Sequence, residues 1–360
     1  VAGYFSGDIA KAVGFPWFFG IVLVLTVLGI FIFFSASLGL LARDGAQFSG
    51  IFISQLTSLF LGVFFFLCAL RIPYKFFHTY SFYIFLATLI ATSLVFVPGL
   101  GASLNGAERW IFIGPFSLQP AEFLKLGFVF YFAAWLSAVK TEVRSFSLGF
   151  VPLLIMMGLV GFVLLKQPDT GTFAVILGTA LAMFIAGGAP WKYIWWLGGA
   201  AVFGVTLLAA LRPYVRNRLL VFFNPALDPQ GAGYQIKQSL LAVGSGEVIG
   251  RGFGQSVQKF NFLPEPVGDS IFAVFAEEFG FVGSAVLISL FVFFAFRGLS
   301  LAKQAPDYFS RLTVTGIVIL VTGQAFLNIA SMIGILPLTG LPLPFVSHGG
   351  TALMTTLFAA

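Results

Sequence analysis

The chain is poor in charge, cysteine and histidine. Asp, Glu, Lys and Arg make up only 9% of its 360 residues, against 59% apolar residues. A soluble domain of that length cannot hold so apolar a composition in water. The one cysteine, Cys68, lies inside an apolar run, which excludes a disulfide framework and a thiolate metal site. His78 and His348 are too isolated for a metal triad, and no Ser/His/Asp arrangement is legible. Internal repeats, low-complexity tracts and a separate soluble domain are also missing, so residues 1–360 read as one domain.

What is present is long apolar sequence, with a mean hydropathy of +1.01. A bilayer-crossing helix needs roughly 20 mostly apolar residues. Runs of that kind recur near 17–37, 49–70, 79–98, 119–138, 148–165, 170–188, 193–211, 269–296 and 312–335, with another from 350 onward. The runs are continuous rather than alternating, which favours helices over a barrel. The expected fold is an all-α polytopic membrane protein of about ten transmembrane helices. Its 47 phenylalanines are then lipid-facing and core bulk. The first run leads straight into further spans, so no cleaved signal peptide is expected. The last run stops at Ala360, so the chain is expected to end inside its final helix.

Basic residues in short loops set the orientation. One set of loops carries Lys11, Arg71, Lys75, Lys140, Arg144, Lys192, Arg297, Lys303 and Arg311; the opposite set carries Arg43, Arg109 and Lys166. The richer set is expected to be cytoplasmic, with the N-terminus inside. The net charge of +6 therefore speaks to topology and lipid headgroups, not to nucleic acid. A long segment, 212–268, falls on the far face with 99–118, 166–170 and 337–349. Its stretches VFFNP and IKQSLLAV suit short amphipathic helices at the interface.

Charges inside apolar sequence require an explanation. Glu122 and Lys125 stand three apart, share a helix face and can pair. They read either as a structural ion pair or as the wall of a polar cavity, and Arg109 beside Trp110 reads as an interface anchor or a headgroup contact. Between two runs, Asp169 can cap a new helix, and a broken helix pair is also a place for a site. The glycines from Gly244 to Gly254 lack the spacing and context of a nucleotide loop. As a flexible loop near Lys237, Arg251 and Lys259, the segment could still surround a pyrophosphate. Glu277 and Glu278 lie about two turns beyond Asp269. Gly268-Asp269-Ser270 is a good N-cap sequence. Ala273, Ala276 and Gly280 below it form a strip of small residues, room for a lipid chain or a neighbouring helix.

Several stretches together resemble the SEDS family of polytopic cell-wall polymerases, typified by FtsW and RodA. They are NGAERWI (105–111), LQPAEFLKL (118–126), QPDTGT (167–172), the segment from Gly233 to Glu265, DSIFAVFAEEFGFVG (269–283) and LPLTGLPLPFVSHGG (336–350). The resemblance implies a peptidoglycan glycosyltransferase that polymerises lipid II in division or elongation. Partners would be a single-pass class B penicillin-binding protein and other divisome or elongasome membrane proteins. It implies a catalytic role for Asp269 and use of a divalent cation, Mg or Mn, although the sequence shows no cage for one. The substrate-binding candidates are Arg109, Gln119, Glu122, Lys125, Asp169, Arg216, Lys237, Arg251, Lys259 and Ser347. The chain departs from the family pattern PE-x-HTDFIFA: Pro266, Val267 and Gly268 precede Asp269, and the His-Thr pair is absent. A lipid II flippase and a noncatalytic divisome scaffold are the alternative readings.

Overall fold

The structure is a computed structural model that describes residues 15–43, 45–104, 107–113 and 116–360; Lys11, Asn105 and Gly106 lie outside these. Its helices are α1 (Phe15–Arg43), α2 (Gly45–Ala69), α3 (Tyr74–Ser93), α4 (Pro120–Val139), α5 (Val151–Lys166), α6 (Thr170–Ala186), α7 (Trp191–Leu211), α8 (Pro213–Phe223), α9 (Ala232–Ser245), α10 (Ile271–Lys303), α11 (Tyr308–Met332) and α12 (Gly350–Ala359). Among the described residues, eight helices are long and apolar enough to cross a membrane, and α6 and α12 are shorter apolar helices. The segment between α7 and α10 forms the two short helices that its amphipathic stretches predict.

The middle of the bundle is α4 and α11, whose Leu124, Phe128, Phe132, Leu312, Val318 and Ala325 are buried. At the other extreme, α7 turns Trp195 and Phe203 outward, 77% and 69% exposed. A helix that is apolar all round is stable there only against hydrocarbon. The phenylalanines divide in the same way, with Phe132 inside and Phe162 and Phe281 facing out.

One addition to the all-helical expectation is a three-stranded antiparallel meander, β1 (Gly101–Leu104), β2 (Ala107–Ile113) and β3 (Phe116–Leu118). Its register pairs Ala102 with Trp110 and Ile111 with Leu118. The meander sits immediately before α4, and the backbone N–H of Gln119 donates to the Thr351 hydroxyl at the head of α12 (3.0 Å).

Helix α10 is broken at Gly280, whose φ of 63° and ψ of −161° suit glycine and hardly any other residue. A break inside a membrane helix leaves peptide groups without partners, and these must be met by other protein groups. The glycine-rich segment after α9 meets them. Arg251 and Gly252 donate to the carbonyls of Glu277 and Glu278 (3.0 and 2.9 Å), and Phe281 and Val282 donate to Glu247 and Val248 (2.9 and 3.0 Å). The expected flexible loop is therefore a pinned strap. The strip of small residues on α10 accepts this strap rather than a lipid chain, because Ala273 and Ala276 are buried and Gly246 lies on the Ala276 carbonyl. A Cβ at Gly246 would collide with that carbonyl, which is backbone and cannot move aside. Gly246→Ala is expected to cost about 1–3 kcal/mol, seen as a lowered thermal midpoint of the detergent-solubilised protein.

The two carboxylates beyond the head of α10 hold the next turn. Glu277 accepts from the Ser256 hydroxyl (2.6 Å) and the amides of Val257 and Gln258 (3.1 and 3.2 Å). Glu278 pairs with the fully buried Lys259 (2.7 Å) and accepts from Ser35 of α1 (2.6 Å).

Candidate active site

Four separated segments meet at one end of the bundle: the turn between α5 and α6, α8 with α9, the residues leading into α10, and the loop 333–349. Arg109 of β2 ties the meander to the first of these. Its guanidinium donates to the carbonyls of Gln167 and Pro168 and lies 3.7 Å from Asp169. Asp169 caps α6, accepting from the Thr172 N–H (3.3 Å).

Asp269 does not cap α10. Ser270 occupies the cap position, and the Asp269 carboxylate points into a cavity of about 310 Å³. Neighbours clamp the backbone around it. Ser347 donates its hydroxyl to the Gly268 carbonyl (2.7 Å), the His348 N–H reaches the Val267 carbonyl (2.7 Å), and the Asn328 amide donates to the Asp269 carbonyl (2.7 Å). With its main chain held from α11 and from the loop before α12, the side chain meets its own backbone N–H and a side-chain donor from α9. The Gln235 amide on α9 donates to both carboxylate oxygens (3.2 Å each) and to the Ser270 hydroxyl (3.0 Å).

The facing wall is α8, whose Tyr214, Asn217, Arg218 and Val221 line the cavity at helical spacing. Arg218 is tethered by the Leu338 carbonyl (3.0 Å) and lies over the Tyr214 ring, 4.5 Å from its centre. Burial holds its guanidinium below the ordinary arginine value; Tyr214 opposes that shift, Arg109 reinforces it, and Asp269 and Asp169 oppose it. Burial likewise pushes the Asp269 carboxyl up to about 6, against the Gln235 hydrogen bond and the Arg218 charge, which favour the ionised form. The site is a half-buried acid and a half-buried cation across a polar cavity, each perturbing the other.

The remaining sequence candidates are distributed around this centre. Glu122 and Lys125 form a buried ion pair (2.7 Å) completed by Gln324 and Thr355; they lie inside the bundle and do not line the cavity. Lys259 is turned inward to Glu278. Arg251 is 42% exposed and 3.6 Å from Glu277. Arg216 and Lys237 face outward, while Gln119 and Ser347 are positioned near the loop before α12. Arg218 and Gln235 were not among the candidates, yet each lies two residues from one that was. Two residues along an α-helix is more than half a turn, so Arg216 and Arg218 face opposite ways, as do Gln235 and Lys237. The Tyr214, Asn217, Arg218, Val221 periodicity is the sequence signal that marks the inward face.

The donor set does not fit a protein-built cage for a divalent cation. Among the described residues no three His, Cys, Asp or Glu side chains cluster. Asp228, the other carboxylate lining the cavity, receives the N–H groups of Gly231 and Ala232 (2.9 and 2.8 Å).

These features define a polytopic helical membrane protein with an acid–cation cavity built by the loops at one end of its bundle. The profile of the FtsW/RodA/SpoVE family, described as cell cycle proteins, matches residues 16–360. The chain belongs to that family. It is 36% identical over 343 residues to stage V sporulation protein E of Bacillus subtilis, covering 94% of this chain and 93% of that one. It is 38% identical over 341 residues to a probable peptidoglycan glycosyltransferase FtsW of Geobacter metallireducens, covering 93% and 89%. Among solved structures, a chain of a peptidoglycan synthase complex that coordinates polymerization and crosslinking superposes with a TM-score of 0.78 at 26% identity, over 95% of this chain and 94% of that one. A mutant of the rod shape determining protein RodA of Thermus thermophilus superposes at 0.69 with 25% identity, over 95% and 93%.

Proposed function

We propose that this protein is a peptidoglycan glycosyltransferase that polymerises lipid II on the outer face of the cytoplasmic membrane, with Asp269 as general base. The observation that carries the assignment is Asp269 itself: a carboxylate whose backbone is clamped from three sides while its oxygens open into a polar cavity opposite Arg218. The excess of Lys and Arg at the other end of the bundle supports a cytoplasmic N-terminus and an outward-facing cavity.

In the reaction, the 4-hydroxyl oxygen of the acceptor sugar attacks the anomeric carbon at the reducing end of the growing strand. Its proton passes to the Asp269 carboxylate as the new C–O bond forms. The bond to the pyrophosphate breaks on the opposite face, undecaprenyl pyrophosphate leaves, and the configuration inverts. Arg218 is the half-buried cation of the cavity and the best-placed group to stabilise charge developing on the leaving pyrophosphate. Arg109 adds positive potential behind it. A class B penicillin-binding protein as partner would crosslink the product, which agrees with the likeness to a chain of a synthase complex.

The test is a gel-based assay of purified protein with lipid II in detergent, with and without the penicillin-binding protein. Glycan lengthening by the wild type and its loss in Asp269→Ala support the reading. A flippase or a scaffold produces no polymer in detergent.

The pH dependence follows from the same carboxyl. A base titrating at about 6 gives kcat/KM an acidic limb near that pH. The Gln235 amide favours the ionised carboxylate, so Gln235→Leu is expected to move the limb to higher pH while activity on the alkaline plateau changes less. The pH–rate profile of the two proteins checks this.

A further inference from the structure

The other end of the bundle carries a second polar site. Two adjoining cavities, of about 680 and 420 Å³, share Lys140 and Tyr308 as common wall. Lys75 and His78 from the first turns of α3 line one, and Arg144 from the turn after α4 lines the other. Helices α4 and α11 separate this place from Asp269 by their full length, on the order of 30 Å.

The charges here are unbalanced. Among the described residues, Asp307 is the one carboxylate lining either cavity, and it is occupied as the cap of α11, accepting from the Ser310 N–H (2.8 Å) and from the Tyr74 hydroxyl. Glu142 lies on the Lys140–Arg144 turn but lines neither cavity. No salt bridge takes up Lys75, Lys140 or Arg144 among the described residues. Lys140 moreover stands at φ 47° and ψ −113°, a backbone region that non-glycine residues rarely occupy and that is associated with functional positions. The Tyr308 hydroxyl donates to the Gly187 carbonyl (3.0 Å), so the cations are what the cavities offer a ligand.

A general excess of cytoplasmic lysine and arginine needs no cavity. Here two segments distant in sequence, the start of α3 and the turn after α4, place cations around joined hollows. An Arg fork and Lys point charges in that arrangement suit the oxygens of a phosphate. Tyr74 is exposed on the same first turn of α3, an amphipathic aromatic of the kind that marks the headgroup level of a bilayer.

We propose that the joined cavities around Lys140 are a binding site for a phosphate-bearing anion at the end of the bundle opposite Asp269, with an anionic phospholipid headgroup as the source the surroundings favour. The probes are cardiolipin, phosphatidylcholine and inorganic phosphate, each added to the purified full chain in detergent, with the thermal midpoint as readout. Cardiolipin is expected to raise the midpoint saturably where phosphatidylcholine does not, and the triple variant Lys75→Gln, Lys140→Gln, Arg144→Gln is expected to lose that rise. The control variant Lys192→Gln, Lys303→Gln removes two charges that do not line the cavities and should keep it. A saturable rise with inorganic phosphate that is lost in the triple variant would support the site and identify a soluble source. A rise that survives the triple variant, a rise lost equally in the control, or no response to either anion overturns the proposal. Equal midpoints of wild type and triple variant in phosphatidylcholine would establish that the variant folds. If instead the triple variant melts lower there, the single variants Lys75→Gln and Arg144→Gln are read, each expected to weaken the cardiolipin response, and an undiminished response in both overturns the proposal.

Discussion

Asp269→Asn is expected to abolish most polymerisation of lipid II while leaving the fold intact. A positioned general base contributes typically about 10²–10⁴-fold, and an amide of the same shape cannot take the proton. The loss should fall on kcat, since the substituted amide still fills the same place beside Gln235. Stability should move the other way. The folded carboxyl titrates at about 6 against an ordinary 3.8, so the fold disfavours its charge. That contribution favours the folded state at pH values below the ordinary carboxyl range and is lost as pH rises through about 6. At neutral pH the ionised side chain therefore costs stability, and the Asn variant should melt no lower than wild type. Thermal midpoints at pH 5 and pH 7, alongside the polymerisation assay, separate a lost base from a lost fold. An Asn variant that polymerises at the wild-type rate would end the general-base assignment.

The second large effect is on stability. Lys259→Met should destabilise the protein by about 3–5 kcal/mol, because it leaves the Glu278 carboxylate buried without its counter-ion. The pair joins α1, the strap and α10 through Ser35, so the loss should spread to the segment before Asp269. Adding Glu278→Leu removes the stranded charge, and the double variant is expected to recover a large part of the loss. Thermal midpoints of the two single variants and the double variant form a cycle that measures the pairing directly. If the single Lys259→Met variant melts like wild type, the pair contributes no stability.

Much of the architecture was legible because bilayer-crossing helices advertise themselves by length and apolarity. Every expected run became a helix, the break at Gln167–Asp169 fell between α5 and α6, and Glu122 and Lys125 formed the ion pair that their spacing allowed. Local spacing also reveals amphipathic faces, and reading α8 by that rule points to Arg218 rather than Arg216. What resists reading is contact between distant segments. Nothing near Glu278 announces Ser35, 243 residues away, nor does the glycine-rich stretch announce that it completes a broken helix. The strands of the meander are short and sit in a polar loop, where periodicity carries little signal. The wall opposite Asp269 was hidden for a related reason: a contiguous sequence motif marks the acid, while the cavity around it is assembled from α8, α9 and the loop 333–349.

The interruption at Gly280 sets a height. At 1.5 Å per residue an unbroken helix of 33 residues would measure on the order of 50 Å, well beyond the hydrocarbon thickness. The portion after the glycine, Phe281–Lys303, already suffices to cross. The nine residues before it are thus a short mast standing on a crossing helix, stepped at an angle by one residue and stayed by the strap. Lengthening or shortening the mast by a full turn would shift Asp269 by about 5 Å against Asn328, Ser347 and Gln235, which stand on other elements, and would break the cavity. The number of residues between Asp269 and Gly280 is thereby matched to the height at which those partners stand.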